Sequence, residues 1–114
     1  MTENTIHFGV GVSNAVGEIP RTMELVERVD RAGLDHFSVS DHPYQGRMLD
    51  AYSFLGVALG RTRRISGLVN VSNLPTRPAP MLARAVTSLS ANQSGAFAAF
   101  APVSDLANSN SATG

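Results

Sequence analysis

Three places in the chain gather side chains able to do chemistry, and each lies at the end of an apolar run. Asp41 and His42 follow HFSVS and precede Pro43, so an acid and an imidazole arrive together where an extended segment gives way to a turn. Ser13 and Asn14 follow IHFGVGV, while Asn70, Ser72 and Asn73 fall in and just after ISGLVNV. An acid beside an imidazole is a candidate acid–base element, because imidazole titrates near neutral pH and a neighbouring carboxylate tunes it. Neighbours on a strand point to opposite sides, however, so the two side chains need not touch. The competing reading is an Asp-x-Pro turn with an exposed His. Asn70 and Ser72 can meet the carbonyl edge of a flat heterocycle; the competing reading there is an ordinary strand-to-helix transition punctuated by Pro78 and Pro80.

Other chemistries are excluded by what the chain lacks. There is no cysteine, which removes thiol catalysis, thiolate zinc sites and disulfides. All nine basic residues are arginine, so neither a Schiff-base lysine nor a P-loop lysine is present. No GxSxG element supplies a nucleophile elbow. In GVGVSN, asparagine stands where the third glycine of a dinucleotide fingerprint belongs, and both glycines fall inside the strand. Gly9 and Gly11 are therefore expected as small residues in a crowded interior. His7 and His36 begin their strands, at the opposite end from His42, and the three histidines have no metal-ligand spacing. No metal site is expected.

The elements that must position these residues recur at a fixed interval. Candidate strands begin near Ile6, His36, Ile65 and, more weakly, Ala96 (AFAAF), which are 30, 29 and 31 residues apart. That is the length of one βα module. Pro20 suits the opening turn of a first helix and Gly33 its C-terminal cap. Ile19, Met23, Leu25, Val26, Val29 and Ala32 form one apolar half of that helix, with Glu24–Arg28 and Glu27–Arg31 as solvated i,i+4 pairs opposite. Asp50 is a good N-cap for a second helix running AYSFLGVALG, and a third follows RPAP through MLARAVTSLS. The strands are apolar or small on both faces, as in a parallel sheet covered on both sides. The pattern fits either an open doubly wound sheet of four strands or the first half of an eight-stranded βα barrel, and periodicity does not separate them.

Bulk properties narrow the partners. With 114 residues, 43% of them hydrophobic, the chain has the length of one globular domain. Nine positive and nine negative side chains balance, so nothing points to nucleic acid or an anionic membrane surface. No apolar stretch approaches the roughly 20 residues that span a bilayer, and MTENTIHFG is unlike a signal peptide. A cytoplasmic protein acting on a small molecule is expected.

With these motifs in hand, residues 5 to about 90 resemble the N-terminal part of the luciferase-like monooxygenase family. The resemblance rests on IHFGVGV, on ELVERVDRAGLDHFSVSDHPY and on RISGLVNVSNLPTRPAPMLARAVTSLS, three pieces in order at barrel spacing. It implies an α/β fold of parallel βα repeats, the N-terminal half of a TIM-type (β/α)8 barrel, and a flavin- or deazaflavin-dependent oxidoreductase. SDH at the second strand end looks like the form in members using coenzyme F-420, which is favoured over FMN. On this resemblance Asp41 contacts the cofactor ring and His42 is the catalytic proton donor or acceptor. Ser72 joins the cofactor-binding set, as do Val69 and Asn70, where the family's non-proline cis peptide would fall.

Beyond the third helix the resemblance stops. Residues 1–90 are expected to be the βα units, and 91–114, rich in Ala, Ser and Asn, a divergent and partly disordered tail. That departure implies a truncated or frameshifted barrel with little activity alone, open to self-association through its unpaired edges and one open hydrophobic surface. The alternatives are a non-catalytic small α/β binding module and an inactive remnant.

Overall fold

The computed structural model describes residues 5–92 and the backbone of a strand at 97–102. The tail expected at 91–114 therefore lies largely outside the described residues. Four strands, β1 (Gly9–Gly11), β2 (His36–Val39), β3 (Ser66–Ser72) and β4 (Phe97–Pro102), alternate with helices α1 (Ile19–Ala32), α2 (Ala51–Gly60) and α3 (Ala79–Asn92). The strands form one parallel sheet in the order β1-β2-β3-β4. AFAAF thus contributes to the fourth strand. The first strand is shorter than its apolar run, since Ile6 and Phe8 are exposed and pairing begins at Gly9.

Local signals explain the helix limits. Pro20 occupies the first turn of α1, and Gly33 ends it at φ +95°, a left-handed conformation that costs glycine nothing. Asp50 caps α2, its carboxylate accepting from the Ser53 N–H at 2.9 Å. Of the two ion pairs expected along α1, Glu27 instead reaches Arg61 just past α2, at 3.8 Å. Thr22 joins Met23 and Val26 on the buried side of α1, whereas Ala32 is exposed.

All three helices pack on the same side of the sheet. Met23 and Val26 from α1, Leu55 and Leu59 from α2, and Leu82 from α3 share one core with Phe37, Val39, Ile65 and Val69. Full burial of side chains such as Phe37, Leu55 and Ile65 contributes about 1.5–3 kcal/mol each. Gly67 lets α2 close onto β3, because a Cβ there would lie 2.8 Å from Leu55 Cδ2.

Among the described residues the helices cover one face of the sheet. A doubly wound sheet needs helices on both sides and a reversal of strand order. Sequential order with helices on one side is compatible with part of a TIM-type barrel wall. The other face carries His36, Ser38 and Ser40 from β2 and its extension, Leu68 and Asn70 from β3, and the two glycines of β1. Among the described residues this face is mostly polar, with Leu68 as its apolar member. Gly9 is obligatory there: a Cβ would sit 2.2 Å from Cδ2 of the His36 ring and 2.6 Å from the His36 carbonyl oxygen.

Candidate functional site

Strand alternation decides where each candidate points. In the segment from Phe37 to His42, residues 37, 39 and 41 are buried toward the helices, whereas 38, 40 and 42 lie on the uncovered side. The same rule puts Val69 in the core and Asn70 on the open side. Between Asn70 and Ser72 the register with β4 shifts, and the Asn70–Val71 peptide is cis, one bond beyond the expected position. Ser72 then faces the helices, fully buried, with its Oγ 2.6 Å from the Tyr52 hydroxyl.

At the carboxyl ends of β1, β2 and β3 the uncovered face opens into a hollow of about 550 Å³. Its lining includes Ser13 and Asn14 after β1, Ser38, Ser40 and His42 from the β2 side, and Asn70 from β3. Gln45 and Met48 complete the rim from the loop after β2. Ligands of parallel α/β sheets collect at this end of the strands. A second groove, about 460 Å³, runs between α2 and α3 past Met81 and Leu82 on the outer surface, away from the strand-end hollow, and is not taken as the site.

The expectation that Asp41 and His42 share one mouth does not hold. His42 is exposed at the hollow, but the Asp41 side chain is 1% exposed and turned the other way. Arg77 holds it in a two-point pair: Nε donates to Oδ2 at 2.7 Å and Nη2 to Oδ1 at 2.8 Å. The Asn73 N–H donates to the same Oδ2 at 2.9 Å. Paired in this way, a buried carboxylate offsets the cost of losing water. Of the five candidate site residues, His42 and Asn70 line the hollow. Asp41, Val69 and Ser72 lie behind it.

Arg77, in the turn that enters α3, is the largest feature the sequence did not announce. Its Nη2 also donates to Asp50 Oδ1 at 2.6 Å, and its guanidinium lies 4.3 Å from the Tyr52 ring centroid. Hydrogen bonding to Asp41 raises the guanidinium pKa; burial opposes this, and Asp50 adds to it. Burial opposes the charge on Asp50, but Arg77 and Ser53 more than compensate, so its pKa is lowered. Tyr52 is raised, by burial first, against the bond from Ser72 and the charge of Arg77.

Two further anchors set the strand ends. Asn14, fully buried, donates from Nδ2 to the carbonyls of Ser40 (3.2 Å) and Leu49 (2.8 Å). At the opposite end of the sheet, Asp30 in the last turn of α1 accepts from the N–H groups of Arg63, Arg64 and Ile65, at 3.0, 3.0 and 2.8 Å. An acid is unfavourable at a helix C-terminus, so its presence there was the one available signal of a specific partner. Among the described residues no cluster of His, Cys, Asp and Glu could hold a metal ion.

Comparison with known proteins agrees with this geometry. The family model of luciferase-like monooxygenase matches residues 4–97. The chain belongs to the luciferase-like monooxygenase family. The match runs from β1 through α3 to the start of β4, so both the hollow and the Arg77 cluster lie within the family region. None of the curated proteins compared with the chain matches it. Among the described residues no helix is long and apolar enough to cross a membrane.

Proposed function

We propose that the strand-end hollow takes the ring of a flavin or deazaflavin, with coenzyme F-420 favoured over FMN, and that the chain serves oxidoreduction of a small-molecule substrate. The observation that carries this is the polar sheet face that the described helices leave uncovered, which ends in a hollow lined by Ser38, Ser40, His42 and Asn70. The four strands are then a stretch of (β/α)8 barrel wall, and the uncovered face is the barrel interior. Family membership supports the reading, and SDH at the β2 end favours the deazaflavin.

The residues present suit such a ring. A hollow of about 550 Å³ falls in the range of roughly 300–1,000 Å³ usual for cofactor and small-ligand sites. Serine hydroxyls and the Asn70 carboxamide both donate and accept, as the edge of a heterocycle with alternating N–H and C=O groups requires. When bound, the cofactor supplies two-electron redox chemistry.

The chain supplies position and proton control. His42 stands at the rim, where a ring nitrogen of its imidazole can give or take a proton. Asn70 holds the ring edge. Asp41, Val69 and Ser72 act from behind the lining, through the backbone they fix: Asp41 by its tie to Arg77, Ser72 by its tie to Tyr52, Val69 by core packing.

The test is a fluorescence titration of the full chain with coenzyme F-420 and, separately, with FMN. Saturable change with F-420, weakened by Asn70→Leu, is expected. No change with either compound overturns the proposal and favours a binding module for some other ligand. Retained binding with no proton-linked turnover in His42→Gln separates catalysis from binding.

A further inference from the structure

The segment from Asp41 to Asp50 leaves the sheet after β2 and closes back on its own start at the cap of α2, and its neck is fastened from two sides. On one side the Asn14 carboxamide donates to both the Ser40 and the Leu49 carbonyls, while the Leu49 N–H returns a bond to the Asn14 carbonyl at 2.9 Å. On the other side Arg77 binds both carboxylates at once, Asp41 at the outgoing end and Asp50 at the returning end. Asn14 comes from the end of β1 and Arg77 from the turn before α3. Neither is near the loop in sequence, and they reach it independently.

Between these fastenings the outgoing half of the loop has little holding it, while the returning half is tied once more where the Val16 N–H donates to the Arg47 carbonyl at 2.8 Å, beside a bridge from Ala15 to Met48. His42, Pro43, Tyr44, Gln45, Gly46 and Arg47 are all exposed, Tyr44 to 80%. Its internal bonds are two turn contacts, Gln45 N–H to the His42 carbonyl at 3.1 Å and Met48 N–H to the Gln45 carbonyl at 3.0 Å. His42 is the first residue past the neck and directly follows Asp41. An exposed imidazole has no packing of its own to fix it, so its place over the hollow is inherited from the residue before it.

We infer that Arg77 is a positioning residue for His42: by bridging Asp41 and Asp50 it closes the loop neck and holds the imidazole at the hollow. Asn14 is its counterpart on the opposite side. The inference rests on the reading of His42 as the proton-carrying group. Its physical content, a neck clamp acting on one loop, is testable without cofactor, so failure of the clamp and failure of the oxidoreductase reading remain distinguishable.

The experiment uses the full chain labelled with ¹³C-histidine, together with amide hydrogen exchange. His7 and His36 serve as internal references, with His42 assigned through His42→Gln. Arg77→Met removes both arms of the clamp. Asp50→Ser removes only the returning arm while keeping a residue able to cap α2, and so guards against a variant that fails to fold. Both should move the His42 resonance toward its free-peptide position and speed exchange of the Gln45 and Met48 amides, the two bonded within the loop, by about tenfold or more, the scale expected for loss of a charge-assisted bond. Exchange in α1 and the His7 and His36 resonances should stay as they are. Arg77→Lys, which keeps the charge but lacks the planar fork, should fall between. Unchanged exchange at Gln45 and Met48 in both variants overturns the inference. So does an equal rise across the whole chain, which marks Arg77 as a support of global stability only.

Discussion

Replacing Asp30 with alanine should loosen the entry to β3 and destabilise the whole sheet. Its carboxylate accepts three consecutive backbone N–H groups, from Arg63, Arg64 and Ile65. A bond to a charged acceptor contributes roughly 1.5–3 kcal/mol when well shielded. Asp30 is reached by water, and Arg63 and Arg64 are exposed, so most of that is screened or replaced for two of the three. The Ile65 N–H, beside a fully buried side chain, keeps the larger share. About 2–3 kcal/mol for the set is the expected loss.

With a urea slope near 1–1.5 kcal/mol/M for a domain of this size, the unfolding midpoint by far-UV circular dichroism should fall by about 1–2 M. Asp30→Asn keeps one acceptor oxygen and should lose about half as much. Burial opposes the Asp30 charge, but the three backbone donors together override it and hold the pKa below 3.8. The folded value is thus below the unfolded one. The stabilisation is complete above the unfolded pKa and is lost as pH falls through the folded one. Below about pH 4 the wild type should therefore lose stability more steeply than Asp30→Asn. A midpoint for Asp30→Ala within experimental error of wild type, or parallel acid slopes for wild type and Asp30→Asn, would refute this account.

Other outcomes follow from the same geometry. Leu55→Ala, at a side chain with no exposure, should cost about 2–5 kcal/mol by chemical denaturation. Gly9→Ala forces a methyl against the His36 ring and carbonyl and should cost about 1–3 kcal/mol, whereas Gly11→Ala, whose Cβ would sit 3.7 Å from Ser38 Oγ, should be tolerated. His42→Gln should change stability by no more than about 0.5 kcal/mol, because the side chain is exposed, while lowering any F-420-linked turnover about 10²- to 10⁴-fold.

Most of the scaffold was legible because it depends on local chemistry. The 30-residue interval, Pro20, Gly33 and Asp50 each act within a turn or a module, and each sits where expected. Alternation along β2 already warned that Asp41 and His42 diverge, and they do. What the sequence could not supply were partners chosen through space: Arg77 lies 36 residues from Asp41, and only the folded turn before α3 brings them together. Coverage of one sheet face was hidden for a related reason. Gly, Ser and His suit a crowded interior as well as an open polar wall, so composition alone did not say which face the helices would take.

The central claim is that chemistry occurs at the strand-end hollow and not in the groove between α2 and α3. It is tested most directly by adding coenzyme F-420 to ¹⁵N-labelled full chain and mapping amide shifts. The account predicts concentrated shifts at Gly11, Ser38, Ser40, His42 and Asn70, with Met81, Leu82 and Ala85 left in place. Shifts centred on those α3 residues, with the strand ends silent, would contradict it.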